Sequence, residues 1–355
     1  MGYINIAQSV LKQRLGQIPY PAFITYFPTM RCNLKCTFCD VWRNQKQFRD
    51  EMQLDDIEKV FSKFHRIDAV RISGGEPFLR KDLAEIINII HKNINPDVIH
   101  LTTNGTLVDD IVVCMQKIKQ PQKIHIKISI DAIGTRHDEI RGVDGTYDKA
   151  VSTIEELVKL RSSFNFNIGI NCGIVNKNDI NDYRKLKELF TKKNIFVYPV
   201  IANKPTNALY SNSKIVSPHD SVKPFGDFTV SAIQDFIDKL LEDATHNTDF
   251  KEKVVNKYHL RGLKNRLVFN LDKPNPKCVA LTSHIRILPN GDVPVCLYNS
   301  TVVGNILEES LTELWFNNNK VTTQRKWVNS CPGCWQSCES VASAIYTGDI
   351  LKGLL

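Results

Sequence analysis

The stretch Ile124-His125-Ile126-Lys127-Ile128-Ser129-Ile130-Asp131 sets four isoleucines on one face of a β-strand and four polar residues on the other, because side chains alternate across the pleat. Three further segments repeat the pattern. Ala69–Ser73 opposes Val70 and Ile72 to Arg71 and Ser73, and Val98–Thr103 opposes Ile99 and Leu101 to His100 and Thr102. Phe166–Val175 opposes Phe166, Ile168, Ile170 and Ile174 to Asn167, Gly169, Asn171 and Gly173. With Phe23–Thr29 and Ile195–Ile201 they make six strands, separated by helical patterns near residues 54–64, 81–92, 108–118, 147–160 and 180–193. Six βα units in series imply a parallel sheet. Parallel strands buried on both faces read as continuous apolar runs, and a closed eight-stranded barrel fills its interior with branched apolar side chains. Here only one face can meet the helices. The fold class expected is α/β, a curved and incomplete (β/α)6 TIM-like barrel whose polar inner face encloses a wet, ligand-filled cavity. A sheet with one solvated face is the other solution, uncommon where every connection is a crossover helix.

Cys32, Cys36 and Cys39 follow the first strand as C-x3-C-x2-C. Iron–sulfur clusters are held by closely spaced thiolates, usually four for a cubane. Three leave one iron open to another ligand. A structural zinc site would be closed by four ligands, and His65 is the nearest histidine downstream. Zinc and three unrelated thiols are the alternatives left by the loop alone.

Ten cysteines without a signal-peptide pattern argue for metal-bound or catalytic thiols in a reducing cytoplasm and against a disulfide framework. No apolar run approaches the roughly 20 residues that span a bilayer. The net charge of +8 is spread along the chain, with no basic block interleaved with aromatics that would mark a nucleic-acid surface. Residues 1–21 read as an amphipathic helix with Ile4, Ala7, Val10 and Leu11 on the face that packs against the body. Residues 22–202 form the barrel. Residues 203–273 begin as an irregular linker or lid with Pro205, Pro218 and Pro224, then turn helical over Ser231–Leu267. Residues 274–355 carry five more cysteines: Cys278, Cys296, Cys331, Cys334 and Cys338. Cys114 and Cys172 read as buried structural thiols.

The chain resembles the radical S-adenosylmethionine (SAM) superfamily across residues 22–202. The cysteine loop carries Phe38 before its third Cys, Gly74-Gly75-Glu76-Pro77 follows the second strand, Thr103-Asn104-Gly105 ends the third, and Ser129-Ile130-Asp131 ends the fourth. All lie at C-terminal strand ends, where β/α barrels build their active sites. The resemblance implies that Cys32, Cys36 and Cys39 hold three irons of a [4Fe–4S] cluster whose fourth iron takes SAM. It implies that Gly74 and Gly75 admit the SAM amino group, that Ser129 and Asp131 bind the ribose, and that Asn104 lines the wall. Arg141 becomes a candidate for the SAM carboxylate, with a surface turn as its alternative. The activity implied is reductive cleavage of SAM to a 5′-deoxyadenosyl radical that removes a hydrogen atom from a substrate, fed by a flavodoxin- or ferredoxin-type donor.

The spacing of Cys278 and Cys296, with Gly291 five residues before the latter, and the C-x2-C-x3-C of Cys331, Cys334 and Cys338 resemble the twitch half of a SPASM domain. That implies one auxiliary [4Fe–4S] cluster on Cys278, Cys296, Cys331 and Cys334. A zinc ion suits the same quartet, and Cys338 could exchange with Cys334 as ligand. Ordinary structural packing is the first reading of Cys338; if the segment turns helical, it lies one turn from Cys334 on the same face, where a free thiol could donate a hydrogen atom. About thirty residues precede the loop, too few for a peptide-leader-binding domain, so a small substrate is favoured over a peptide. Oxidation of a C–H bond bearing a hydroxyl or amine is the expected reaction. A peptide maturase or epimerase and a non-catalytic electron-transfer protein are the alternatives, while no cobalamin-binding region supports methyl transfer.

Overall fold

The computed structural model describes residues 3–45, 50–202, 208–211, 214–217, 224–245 and 250–353. In chain order the elements are α1 (Tyr3–Arg14), β1 (Phe23–Thr29), α2 (Val41–Asn44), α3 (Leu54–Phe61), β2 (Ala69–Gly74), α4 (Leu83–Ile94), β3 (Val98–Thr103), α5 (Val108–Lys117), β4 (Ile124–Ser129), α6 (Thr135–Arg141), α7 (Thr146–Phe164), β5 (Asn167–Ile174), α8 (Asp179–Thr191) and β6 (Phe196–Ile201). After them come α9 (Val230–Thr245), α10 (Phe250–Phe269), β7 (His284–Ile287), β8 (Asp292–Pro294), β9 (Val302–Asn305), α11 (Asn319–Ser330) and α12 (Ser337–Thr347).

The parallel sheet has seven strands in the order β6-β5-β4-β3-β2-β1-β7, one more than the six expected. The seventh comes from the C-terminal segment. β7 pairs with β1 in register, Phe23 opposite His284 and Thr25 opposite Arg286. Four residues that alternate as His-Ile-Arg-Ile are too short to stand out in a sequence, and their partner lies some 260 residues away. β8 and β9 form a separate antiparallel pair.

The outward faces behave as their isoleucines dictate. Ile24, Ile72, Ile99, Leu101, Ile126, Ile128 and Ile170 are all 0% exposed, packed under Val60 and Phe61 of α3, Ile87 of α4, Ile111 of α5, Ile154 of α7 and Leu186 of α8. Each such side chain contributes about 1.5–3 kcal/mol of transfer free energy. The inward residues Arg71, His100, His125, Lys127, Asn171 and Tyr198 keep intermediate exposure instead, so the alternation survives as a polar inner wall.

The N-terminal helix docks by a face that shares Val10, half-buried beside Gly348, with the one expected. Ser9 is buried, its Oγ in a 2.5 Å hydrogen bond with Ser283 Oγ, and Gln13 donates to the Tyr346 carbonyl at 3.0 Å. Leu11 is 59% exposed and Ala7 is exposed, while Ile4 lies outside the residues whose side chains are described. The stripe combines these polar partners with Ile6, which packs on the cluster of Ala22, Phe23, Val279, Ala342 and Tyr346. Of the irregular segment, Pro205 and Pro218 lie outside the described residues. Leu209 N–H donates to Leu297 O, Val216 N–H to Tyr298 O and Phe225 N–H to Ala202 O, so its described parts lie along the β8–β9 connection and the end of β6.

Because β7 is part of the main sheet, the C-terminal segment is expected to unfold with the barrel. Ile285→Ala empties a site with 0% exposure, and should cost about 2–5 kcal/mol. Urea transitions followed by far-UV circular dichroism and by tryptophan fluorescence should shift together. An early, separate fluorescence transition would mean that the two parts fold independently.

Candidate functional site

Four strand ends are tied to the cysteine loop by named bonds. Glu76, 1% exposed, accepts from Phe78 N–H and Thr103 Oγ1 on one oxygen and from Asn104 N–H at 2.7 Å on the other. Burial pushes this carboxyl up to about 7 against the pull of those three donors. Asn104 Nδ2 donates to Asn33 Oδ1 at 2.8 Å, inside the cysteine loop. The loop's backbone is anchored on α6, where Lys35 N–H donates to Arg141 O and Thr37 N–H to Ile140 O. Gly142 ends α6 with φ +70°, and a Cβ there would lie 2.5 Å from Lys35 O. Trp42 Nε1 donates to Cys36 O, and Gln45 accepts from Cys32 N–H.

Gly74 and Gly75 have a reason internal to the chain. A Cβ on Gly74 would lie 2.3 Å from Thr29 O and one on Gly75 2.0 Å from Arg31 O. Their bareness draws β2 against the end of β1, just ahead of Cys32, whereas the expectation was close approach to SAM. Glu76 and Asn104 likewise spend their side chains on protein partners.

The largest departure concerns Asp131 and Arg141. Asp131, expected on the ribose, is 0% exposed; its Oδ1 accepts from Arg141 Nη2 and Gly173 N–H, each at 2.8 Å, and Oδ2 lies 2.7 Å from Arg141 Nε. Arg141, the candidate for the SAM carboxylate, is buried in that pair. Its Nη1 reaches Cys36 Sγ at 3.7 Å, and its guanidinium lies 5.6 Å from the centre of the Phe38 ring. Burial disfavours the charged guanidinium, and Asp131 and Cys36 more than offset it, so the shift is upward. Ser129, 9% exposed, ends β4 on the inward side as expected. Burial pushes the thiols of Cys32 and Cys39 up to about 12 and about 11. They would become thiolates on binding metal, which couples loading to proton release.

A second group of thiols lies beyond β7. Cys278, Cys296, Cys331 and Cys334 line one cavity of about 430 Å³, partly open to solvent, together with Arg286, Trp327 and Glu339. Cys338 is not among its lining residues. The reason is local: residues 331–336 are irregular and α12 begins at Ser337, so Cys334 and Cys338 do not share a helix face. Cys338 instead turns toward the barrel, where its carbonyl accepts from Arg71 Nη1 at 3.2 Å. Glu339 is 4% exposed and receives Arg286 Nη2 and His284 Nδ1, while Cys278 Sγ lies 3.6 Å from its other oxygen. Burial would raise this carboxyl, but Arg286 and His284 hold it well below the usual carboxylate range. His284 Nε2 continues the chain to Thr25 Oγ1 at 2.8 Å. Sequence reasoning missed Glu339, Arg286 and His284, because nothing short-range marks them.

Among the described residues no three His, Cys, Asp or Glu side chains converge on a single ion. A tetrahedral zinc site needs four sulfurs at about 2.3 Å from one centre. Sulfurs spread around a cavity match a cubane better.

Comparison with known proteins agrees with this geometry. A family model described as the radical SAM superfamily matches residues 26–186, and one described as an iron–sulfur cluster-binding domain, SPASM, matches residues 278–338. Residues 26–186 are thus a radical SAM domain and residues 278–338 an auxiliary iron–sulfur domain, so the cofactors are SAM and [4Fe–4S] clusters. It is 26% identical over 274 residues to a probable GTP 3′,8-cyclase of Sulfurisphaera tokodaii, covering 75% of this chain and 78% of that one. It is 28% identical over 173 residues to the Fe-coproporphyrin III synthase of Methanosarcina barkeri, covering 47% of this chain and 40% of that protein. Among solved structures, Streptococcus suis SuiB bound to S-adenosylmethionine superposes with a TM-score of 0.59 at 19% identity, covering 90% of this chain and 69% of that one. Native anSMEcpe with bound AdoMet and a Cp18Cys peptide gives 0.54 at 20% identity, covering 94% and 95%. These two likenesses establish the shared fold.

Removing one partner of a buried ion pair costs about 3–5 kcal/mol. Asp131→Ala is therefore expected to lower the unfolding free energy from urea titration by that much and to release the cysteine loop, read as lost iron after reconstitution. A loss below about 1 kcal/mol with iron retained would return Asp131 to a ligand-binding role.

Proposed function

We propose that Cys32, Cys36 and Cys39 hold the SAM-binding cluster and that Cys278, Cys296, Cys331 and Cys334 hold the auxiliary one. The reaction proposed is oxidation of a C–H bond bearing a hydroxyl or amine on a small substrate seated in the polar barrel. When bound, cluster and SAM supply a one-electron reductive cleavage that yields methionine and a 5′-deoxyadenosyl radical. The chain's own part is to orient the reactants and keep water from them. Phe38, Ser129 and the backbone at Gly74 and Gly75 are the groups proposed to border SAM, with Arg141 holding the Cys36 side of the loop.

One observation carries the net oxidation: four thiols line the auxiliary cavity. A cluster with four thiolates has no open iron, so it can take an electron from a substrate radical without binding the substrate itself. The small substrate is favoured by the polar wall and by a relative named for a nucleotide over three quarters of this chain. The peptide-bound structures support only a common fold. A flavodoxin- or ferredoxin-type donor and a cytoplasmic setting belong to the same reading; among the described residues no helix is long and apolar enough to cross a membrane.

Anaerobically reconstituted protein is expected to bind about eight irons, four per site. The triple change of Cys32, Cys36 and Cys39 to Ala should leave about half and abolish 5′-deoxyadenosine formation with dithionite. Persistent SAM cleavage in that variant would refute the first assignment.

Turnover in deuterium oxide separates the reaction types. Net oxidation places no solvent deuterium at the substrate carbon. Label that appears there, and disappears in Cys338→Ala, would replace oxidation by epimerisation with Cys338 as hydrogen donor.

A further inference from the structure

The barrel's inner wall carries more positive charge than it neutralises. Thr25, Arg71, His100 and His125 stand side by side across β1 to β4, and Lys127 lies two residues further along β4 on the same face. Opposite Lys127 on β5 is Gly169, where a Cβ would lie 2.9 Å from the Tyr198 ring. That space lets the Tyr198 ring reach Lys127, whose Nζ is 3.6 Å from its centre. Arg71 gives one N–H to the Cys338 carbonyl and lies 5.0 Å from the centre of the Phe23 ring.

Neither cation has an acidic partner within salt-bridge distance among the described residues. Arg286, nearby, is committed to Glu339. Glu252, the acid that acts on Lys127, accepts from the Tyr198 hydroxyl at 3.1 Å. Arg71 and Lys127 keep intermediate exposure on the face of the sheet turned away from the covering helices. Burial and the Arg71 charge push Lys127 down to about 8, and burial takes His125 down to about 3, leaving that imidazole neutral. Enclosing unpaired like charges side by side is costly. A fold that keeps them is holding a place for negative charge.

We propose that Arg71 and Lys127 form an oxyanion site that seats a phosphate or carboxylate group of the substrate inside the barrel. The proposal rests on the radical SAM reading above and names its substrate class. Arg71 offers a planar fork for two oxygens, and Lys127 a point charge under the Tyr198 ring. His100 and His125, between them in the wall, add uncharged hydrogen-bonding groups. An anion held there lies below the strand ends, on the side of the Cys338 carbonyl.

Isothermal titration of the reconstituted full chain with pyrophosphate, and separately with succinate, tests the site. One of the two should bind, pyrophosphate pointing to a phosphate ester and succinate to a carboxylate. Arg71→Gln and Lys127→Met should each weaken binding about tenfold or more, Lys127→Arg should restore it, and saturating SAM should leave it unchanged. Lys127→Met also removes an enclosed charge and is expected to melt no lower than the parent, which guards against misfolding as the cause. Absence of binding by either anion, equal affinity in the double variant Arg71→Gln/Lys127→Met, or competition by SAM would overturn the proposal. Anion binding in a protein that never cleaves SAM would keep the site and remove the radical reading; cleavage without anion binding would do the reverse.

Discussion

The buried pair of Asp131 and Arg141 fixes the position of the cysteine loop, and much of the site follows from it. Arg141 is the last residue of α6, its carbonyl takes the N–H of Lys35, and its guanidinium lies against Cys36 and Phe38. Asp131 follows β4 and also takes the N–H of Gly173 from β5. One ion pair thus joins two strand ends, one helix end and the loop. A buried ion pair is a weak source of stability against an apolar alternative, but it is intolerant of losing one member. Next to a thiolate-bound cluster the positive member has a further effect, since it offsets negative charge that would otherwise be enclosed without compensation.

Glu76 repeats this logic with neutral partners. Its two oxygens gather the end of β3 and the turn after β2, while Gly74 and Gly75 let β2 touch the backbone of Thr29 and Arg31. The motif residues at these strand ends are therefore first a lattice that holds the loop. Backbone groups and the few side chains left over, such as Ser129, are what remain to face a ligand.

The barrel was legible because alternation is a period-two signal repeated in four strands, and each isoleucine or valine on the outer face ended fully buried. The cysteines were legible because thiol spacing is short-range. What escaped the sequence was long-range pairing. β7 reads as an unremarkable four-residue run until β1 stands beside it, and Glu339 as a surface glutamate until Arg286 and His284 do. The same limit explains Asp131 and Arg141, ten residues apart, each assigned to SAM because its motif position suggests an exposed polar end. Across α6 the two charges pair with each other. For Cys338 the condition of a helix reaching back to Cys334 is not met, since α12 begins only at Ser337.

The two thiol sites are coupled through the wall between them. Arg71 bonds the Cys338 carbonyl at the start of α12, and Glu339, the next residue, bonds Arg286 and His284 of β7 and approaches Cys278. β7 in turn is zipped to β1, whose end leads into Cys32. A displacement of the auxiliary thiols must therefore pass through paired strands and a buried charge network before it reaches the barrel, and rigid elements of that kind hold two redox groups at a fixed separation. Tyr210 lies near Cys39, Cys338, Arg286 and Arg71 together, and its ring meets Phe27 edge-on. That position makes it part of the partition between the two sites.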